Sequence, residues 1–175
     1  MAEQLLQIIP RIAAVKITIH DSAPVITDRD DEIIIPGKDT FRLRRGGADK
    51  VVWIRSGESG LREAFGIASR MLYGYSTILI EGNSILNHIN PRLALFVADD
   101  NISSKALIKT SRLAALEKAD LIIHNIRGAR GQGEHCRAAE RYATMGITAP
   151  VITASLRDTA TVRTALKHIL IEKGL

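Results

Sequence analysis

The chain has 175 residues, of which 46% are hydrophobic and 25% are charged, and its net charge is +5 at pH 7. This balance is typical of one globular domain and excludes an intrinsically disordered chain. The single cysteine excludes an intrachain disulfide, and the sequence contains no run of about 20 apolar residues that would span a membrane. The N-terminus lacks the basic and apolar pattern of a signal peptide. We therefore predict a cytoplasmic protein with a single domain, 1–175.

Apolar runs alternate with helical patterns along the chain, which predicts an α/β fold. Residues 2–9 resemble the end of a helix that Pro10 terminates. Predicted strands follow the apolar runs 12–19, 51–54, 78–80, 93–98, 121–123 and 151–153, and predicted helices cover 57–73, 103–119, 133–145 and 158–172. This alternation indicates a mainly parallel sheet with helices on both faces, a three-layer sandwich.

Residues 34–54 read as strand, tight turn, basic helix, glycine pair and strand. The Gly46-Gly47 pair predicts a helix end with left-handed backbone. Residues 21–31 are polar and acidic and are predicted to form a loop.

Parallel sheets bind ligands beyond the carboxyl ends of their strands. Glu81 follows a buried strand and is the candidate catalytic residue and metal ligand, since a carboxylate there can hold a magnesium-bound water or activate a nucleophile. The alternative is a helix cap or a partner for a nearby Lys. After the Pro-Gly turn, Asp39 and Thr40 either cap the next helix or face a nucleotide-bound metal, while Lys38 or Arg42 meets phosphate.

Two further positions are candidates for nucleotide binding. Lys16, Thr18 and His20 alternate along one strand, so this polar face either marks an edge strand or lines a site. Asn125 follows an apolar strand and either reads a base edge or holds a turn.

Three segments together resemble the molybdopterin-guanine dinucleotide biosynthesis protein B (MobB) family of P-loop proteins. They are VKITIHDSAP at 15–24, PGKDTFRLRRGGADKVV at 36–52 and ILIEGN at 78–83. By this match Lys16 and His20 fall where the family has a Lys and a His after a strand. Asp39 and Thr40 fall on its G-K-D-[ST] turn, and Glu81 falls on its Walker-B-like acid.

The resemblance implies a GTP-binding adaptor in molybdenum-cofactor biosynthesis that assists the addition of GMP to molybdopterin. It implies Mg²⁺ with the bound GTP, a homodimer, and a molybdenum-cofactor guanylyltransferase as partner. The ligand is then a nucleotide or a molybdopterin-type small molecule, with no membrane partner. Nucleic acid is disfavoured because aromatic residues make up only 4% of the chain.

Two departures from the family weaken the expected catalysis. The 175 residues contain no G-x-x-x-x-G-K-[ST] loop and no strand leading into one, and Ile34 and Ile35 stand where the family tends to have an Asp. The backbone amides and the Lys of that loop cradle the β- and γ-phosphates, so at most weak GTPase activity is expected. The alternative is a non-catalytic binding module of P-loop descent that holds a cofactor or a partner protein.

Overall fold

A computed structural model describes residues 1–21, 23–99, 110–126 and 132–175, without the side chains of residues 110 and 132–136. The chain divides into two compact units, Met1–His88 and Ile89–Leu175, which are described separately.

The first unit contains four helices and four strands within the described residues. In chain order they are α1 (Ala2–Leu6), β1 (Ile12–Ile19), β2 (Val25–Thr27), α2 (Asp30–Ile33), α3 (Asp39–Gly46), β3 (Lys50–Ser56), α4 (Leu61–Met71) and β4 (Thr77–Glu81). Short 3-10 turns at Glu58–Gly60 and Ser84–Asn87 precede α4 and follow β4.

The sheet of the first unit has the strand order β2-β3-β1-β4. Strand β1 lies between β3 and β4 and is parallel to both, whereas β2 pairs antiparallel with β3. This register aligns Glu81, Lys16, Trp53 and Thr27 across the four strands, and directly paired residues place their side chains on the same face of a sheet.

The sheet face that carries Lys16 and Glu81 is apolar at one end of the strands and polar at the other. At the amino ends it is apolar: Ile12, Ala14 and Val51 are buried in one core cluster with Leu43 of α3. Two residues further along β1 stands the half-buried Lys16. Helices α1 and α3 therefore accompany the apolar half of this face, and the polar half lies towards the carboxyl ends of the strands.

The opposite face of the same sheet is apolar over a greater length. Val15, Val52 and Ile54 are completely buried. Helix α4 contacts β3, and Gly60, which directly precedes α4, lies against the Ser56 hydroxyl on this alternate face. We infer that α4 covers it, which places helices on both faces of the sheet.

The second unit contains a parallel three-stranded sheet of order β5-β6-β7. Its elements are β5 (Leu95–Asp99), α5 (Thr110–Glu117), β6 (Leu121–Asn125), α6 (Gln132–Ala143), β7 (Val151–Ala154) and α7 (Thr159–Glu172). The central strand β6 is fully buried at Ile122 and Ile123, as expected for a strand covered on both faces. Asp158 caps α7 by accepting a hydrogen bond from the Thr161 amide at 3.2 Å.

The α/β class predicted from the sequence is confirmed: one mixed and one parallel sheet are flanked by helices. All six predicted strands exist, with ends shifted by up to two residues. Gly47 ends α3 with a φ of 115°, which confirms the predicted left-handed cap. The single-domain organisation and the P-loop identity stay predictions.

Four expectations need correction or fall outside the described residues. The predicted loop 21–31 contains β2 and the start of α2, and residues 34–35 form no strand, since α2 ends at Ile33. Neither Asp39 nor Thr40 caps α3, because the helix begins at Asp39 and no side-chain capping bond is made. Residues 103–109 of the predicted helix 103–119 lie outside the described part.

Within the described residues, the helices are all too short or too polar to cross a membrane.

Candidate functional site

Lys16 joins the two carboxylates that the sequence singled out. Its Nζ lies 2.7 Å from Asp39 Oδ2 and 3.2 Å from Glu81 Oε1. Lys16 stands on the central strand β1 and pairs with Glu81 of β4, so the strand register alone brings these two together. Asp39 arrives from α3. We call Lys16, Asp39, Glu81 and the adjoining Arg42 the charged cluster.

Asp39 is positioned by the turn that precedes α3. Gly37 has a φ of 86°, a conformation that glycine adopts without strain, and α3 begins two residues later at Asp39. The buried Thr40 hydroxyl donates a hydrogen bond to the Ile33 carbonyl at 2.9 Å, which ties the first turn of α3 to the end of α2. The carboxylate of Asp39 is therefore presented by a well-anchored helix start.

Glu81 is positioned by a close approach of the chain just after β4. Gly82 has a φ of 155°, and a Cβ at this position would lie only 2.8 Å from Ile17 Cβ. Only glycine fits here without displacing β1. The residue after Glu81 is therefore held close against β1.

The charges of the cluster reinforce one another. Burial disfavours the ammonium of Lys16, but the hydrogen bond to Asp39 and the charges of both carboxylates outweigh it and raise the pKa of Lys16 above its ordinary value. The hydrogen bond from Lys16 likewise lowers the pKa of Asp39. At neutral pH Lys16 is therefore a cation and Asp39 an anion.

Access to the cluster is uneven. The Lys16 side chain is 17% exposed, whereas those of Asp39 and Glu81 are 44% and 42% exposed. The carboxylates thus face solvent while the ammonium lies beneath them. A ligand approaching from solvent meets the carboxylate oxygens first.

Arg42 extends the cluster along α3. Its Nη1 lies 3.6 Å from Asp39 Oδ1, and its Nε lies 3.5 Å from Glu3 Oε1 of α1. The side chain is 64% exposed. Arg42 is therefore the more exposed of the two cations of the cluster and is accessible to a ligand from solvent.

A second polar group, which the sequence analysis did not identify, continues the same sheet face. Trp53 Nε1 donates to Thr18 Oγ1 at 3.0 Å, and the guanidinium carbon of Arg55 lies 4.4 Å from the Trp53 ring centroid. Arg55 Nη2 also donates to Glu32 Oε2 at 2.8 Å. The available sequence signal was the alternation of Trp53 and Arg55 on β3, which matches Lys16 and Thr18 on β1.

Four predicted nucleotide-binding residues have no described side-chain contact with the charged cluster. Thr40 is buried and its hydroxyl is bonded to backbone. Lys38 is the exposed residue just before α3, and His20 is exposed just after β1. Asn125 belongs to the second unit, where its Oδ1 accepts from the Leu156 amide at 2.9 Å and so holds a turn.

Two carboxylates alone make an incomplete metal site. Among the described residues no group of three or more His, Cys, Asp or Glu side chains is arranged to hold a metal ion. Mg²⁺ is commonly bound by one or two carboxylates plus phosphate oxygens and water. Asp39 and Glu81 fit that mode of binding, in which a phosphate ligand completes the coordination.

No protein-family model matches this chain, and no curated protein or solved structure shows significant similarity to it.

Proposed function

We propose that the protein is a MobB-like nucleotide-binding adaptor that binds GTP with Mg²⁺ at the charged cluster and hydrolyses it weakly or not at all. The observation that carries this proposal is the meeting of Lys16, Asp39 and Glu81 within 3.2 Å contacts, at the carboxyl side of two parallel strands. Ligands of α/β sheets bind on this side.

The chemistry of the cluster suits an exchange of partners. In the free protein the ammonium of Lys16 pairs with both Asp39 and Glu81. With Mg²⁺ and phosphate bound, Asp39 and Glu81 would be the residues to hold the metal, and Lys16 would be the cation to pair with a phosphate oxygen. Arg42, which is largely exposed, follows the same path.

Rapid hydrolysis is not expected from this arrangement. Glu81 is the candidate for orienting a water, but the sequence lacks the loop whose amides stabilise the transferred phosphoryl group. The proposed role is therefore to hold the nucleotide for a partner, for which a molybdenum-cofactor guanylyltransferase is the expected candidate.

Titration calorimetry with GTP and GDP, with and without Mg²⁺, tests the proposal. We expect Mg²⁺-dependent GTP binding in the micromolar range that Glu81→Gln weakens by about tenfold or more, since one charge-assisted contact is worth about 1.5–3 kcal/mol. Lys50→Met is the matched control, because Lys50 forms a single ion pair with Asp28 at 2.9 Å. GTP binding that is absent, or that is unchanged in Glu81→Gln, contradicts the proposal.

A second candidate is a non-catalytic module that binds a cofactor or a partner protein without nucleotide. It is favoured by the pairing of Lys16 and Arg42 with carboxylates in the free protein, which leaves the cluster electrically balanced. Calorimetry separates the two: the second candidate predicts no heat with GTP under any metal condition.

A further inference from the structure

The open, polar half of the first sheet carries more than the charged cluster. Strand pairing sets Lys16 beside Trp53 and Thr18 beside Arg55 on neighbouring strands. Neighbouring strands lie about 4.8 Å apart, and residues two apart along one strand are separated by about 6.6 Å. The backbones of Lys16 and Arg55, which are diagonal neighbours on two strands, are therefore about 8 Å apart. This spacing is of the order of the distance between the phosphates and the base of one nucleotide.

Arg55 and Trp53 form a rigid, layered platform. The guanidinium lies over the indole at 4.4 Å and is fixed at its edge by the 2.8 Å bond to Glu32. The indole is fixed in turn by its 3.0 Å bond to Thr18. A guanidinium stacked in this way keeps its second face for a ligand, and the Arg55 side chain is 34% exposed.

Arg55 keeps its position over Trp53 although one of its hydrogen-bond donors has no partner. Its Nε is buried and has no hydrogen-bond partner among the described groups. A buried donor without a partner costs free energy, so the stacked orientation is held against that cost. Glu32, which also accepts from Thr27 Oγ1 at 3.1 Å, supplies the contact that holds it.

We propose that the Trp53–Arg55 platform is the subsite for the base of a nucleotide whose phosphates meet Lys16. This inference rests on the proposed function and adds the ring-binding residues, which neither the motifs nor the charged cluster contain. The base stacks on the outer face of the Arg55 guanidinium, which itself stacks on Trp53. Arginine planes and aromatic rings are common stacking partners of bases.

The chain contains one tryptophan, so its fluorescence reports directly on this platform. The experiment titrates the full chain with Mg·GTP and with inorganic Mg·triphosphate, which has the phosphates but no ring. Calorimetry is run in parallel, and N-acetyltryptophanamide corrects for absorption by GTP. We expect Mg·GTP to change Trp53 emission with the same midpoint that calorimetry gives, and Mg·triphosphate to bind with a much smaller optical change.

Two variants separate the platform from the phosphate contacts. Arg55→Met and Arg55→Lys are expected to weaken Mg·GTP binding by about tenfold and to leave Mg·triphosphate binding within about twofold, because stacking on one base contributes on this scale. Arg55→Lys keeps the charge beside Glu32 but loses the plane, so it tests stacking without removing the cation. Thermal melts exclude variants that fail to fold.

The outcomes distinguish this inference from the proposed function. If Mg·GTP and Mg·triphosphate both fail to bind, the proposed function is wrong, and so is the assignment of the platform as a base subsite. If Mg·GTP binds but Trp53 emission is unchanged, or Arg55→Lys retains full affinity, the base lies elsewhere and only the platform is overturned.

Discussion

Replacing Lys16 by Met removes the positive charge that lies between two carboxylates while keeping an unbranched apolar stem of similar length. The Lys16 side chain is only 17% exposed, so its stem contributes packing that Met retains. What is lost is the contact of 2.7 Å to Asp39 and that of 3.2 Å to Glu81. What is left is a pair of carboxylates whose nearest oxygens are separated by no more than the sum of those distances.

The size of the effect follows from these contacts. Each carboxylate is more than one-third exposed, so each lost pair is worth about 0.2–1 kcal/mol. Two like charges about 5–6 Å apart repel by roughly 0.7–3 kcal/mol between an effective dielectric constant of 80 and one of 20, and solvent exposure favours the lower half of that range. Lys16→Met is therefore expected to lower the free energy of unfolding by about 2 kcal/mol at pH 7, which corresponds to a fall in Tm of roughly 4–8 °C.

Urea unfolding and thermal melts at pH 7 and pH 4.5 measure the loss of stability in Lys16→Met, with Lys50→Met as control. The control loses one partly exposed pair and should cost less than about 1 kcal/mol. The difference between wild type and Lys16→Met should shrink at pH 4.5, because the pKa of Asp39 is no longer lowered by Lys16 in the variant and protonation of Asp39 relieves the repulsion. Millimolar MgCl₂ should raise the Tm of Lys16→Met more than that of wild type, and NaCl of equal ionic strength should not. The reasoning is refuted if Lys16→Met loses no more stability than the control at both pH values and if MgCl₂ does not raise its Tm more than that of wild type.

Three further outcomes follow from the same contacts. Gly82→Ala should lower the free energy of unfolding by about 2 kcal/mol or more in urea unfolding, because its Cβ would lie 2.8 Å from Ile17 Cβ. Gly74→Ala is the control: its Cβ would meet nothing within 4 Å, so it should cost only the strain of its positive φ. Gly47→Val should lower stability by about 1 kcal/mol or more because its φ is 115°, and an unchanged Tm would contradict that conformation. Asp39→Asn should be less stable than wild type at pH 7, because the pKa of Asp39 is lower in the folded than in the unfolded protein. The stability that the Asp39 carboxylate contributes is therefore present above about pH 4 and is lost as the pH falls through the folded pKa. Equal stability of Asp39→Asn and wild type across pH 3–7 would count against this ion pair.

The six predicted strands were recognisable from sequence because each contains an apolar run, as is typical of buried parallel strands. Strand β2 was not, since Val25–Thr27 is a three-residue segment in a polar, acidic stretch. It is held by pairing with β3, a tertiary contact that no local pattern encodes. The same pairing leaves no place beside β3 for residues 34–35, because β2 and β1 occupy its two sides.

The members of the charged cluster were predictable, but their contacts were not. Lys16 and Glu81 each follow from the rule that polar residues near the carboxyl ends of parallel strands share one edge. That they touch depends on the register of β1 against β4. The stacking of Arg55 on Trp53 depends on side-chain directions along β3, which alternation suggests only once the neighbouring strand is known.

Charge balance gives the strongest reason to expect metal-dependent binding. Within the cluster, Lys16 and Arg42 offset Asp39 and Glu81, so a nucleoside triphosphate without a metal would bring its negative charge to carboxylates that are more exposed than the ammonium beneath them. In the proposed function a divalent cation would reverse this, because it would attract both carboxylates and leave Lys16 to pair with phosphate. Asp39→Asn and Glu81→Gln together remove the need for that exchange. The double variant should therefore bind GTP with an affinity that depends little on Mg²⁺, whereas GTP binding by wild type should require the metal. A double variant that keeps the full metal dependence would show that Mg²⁺ acts elsewhere.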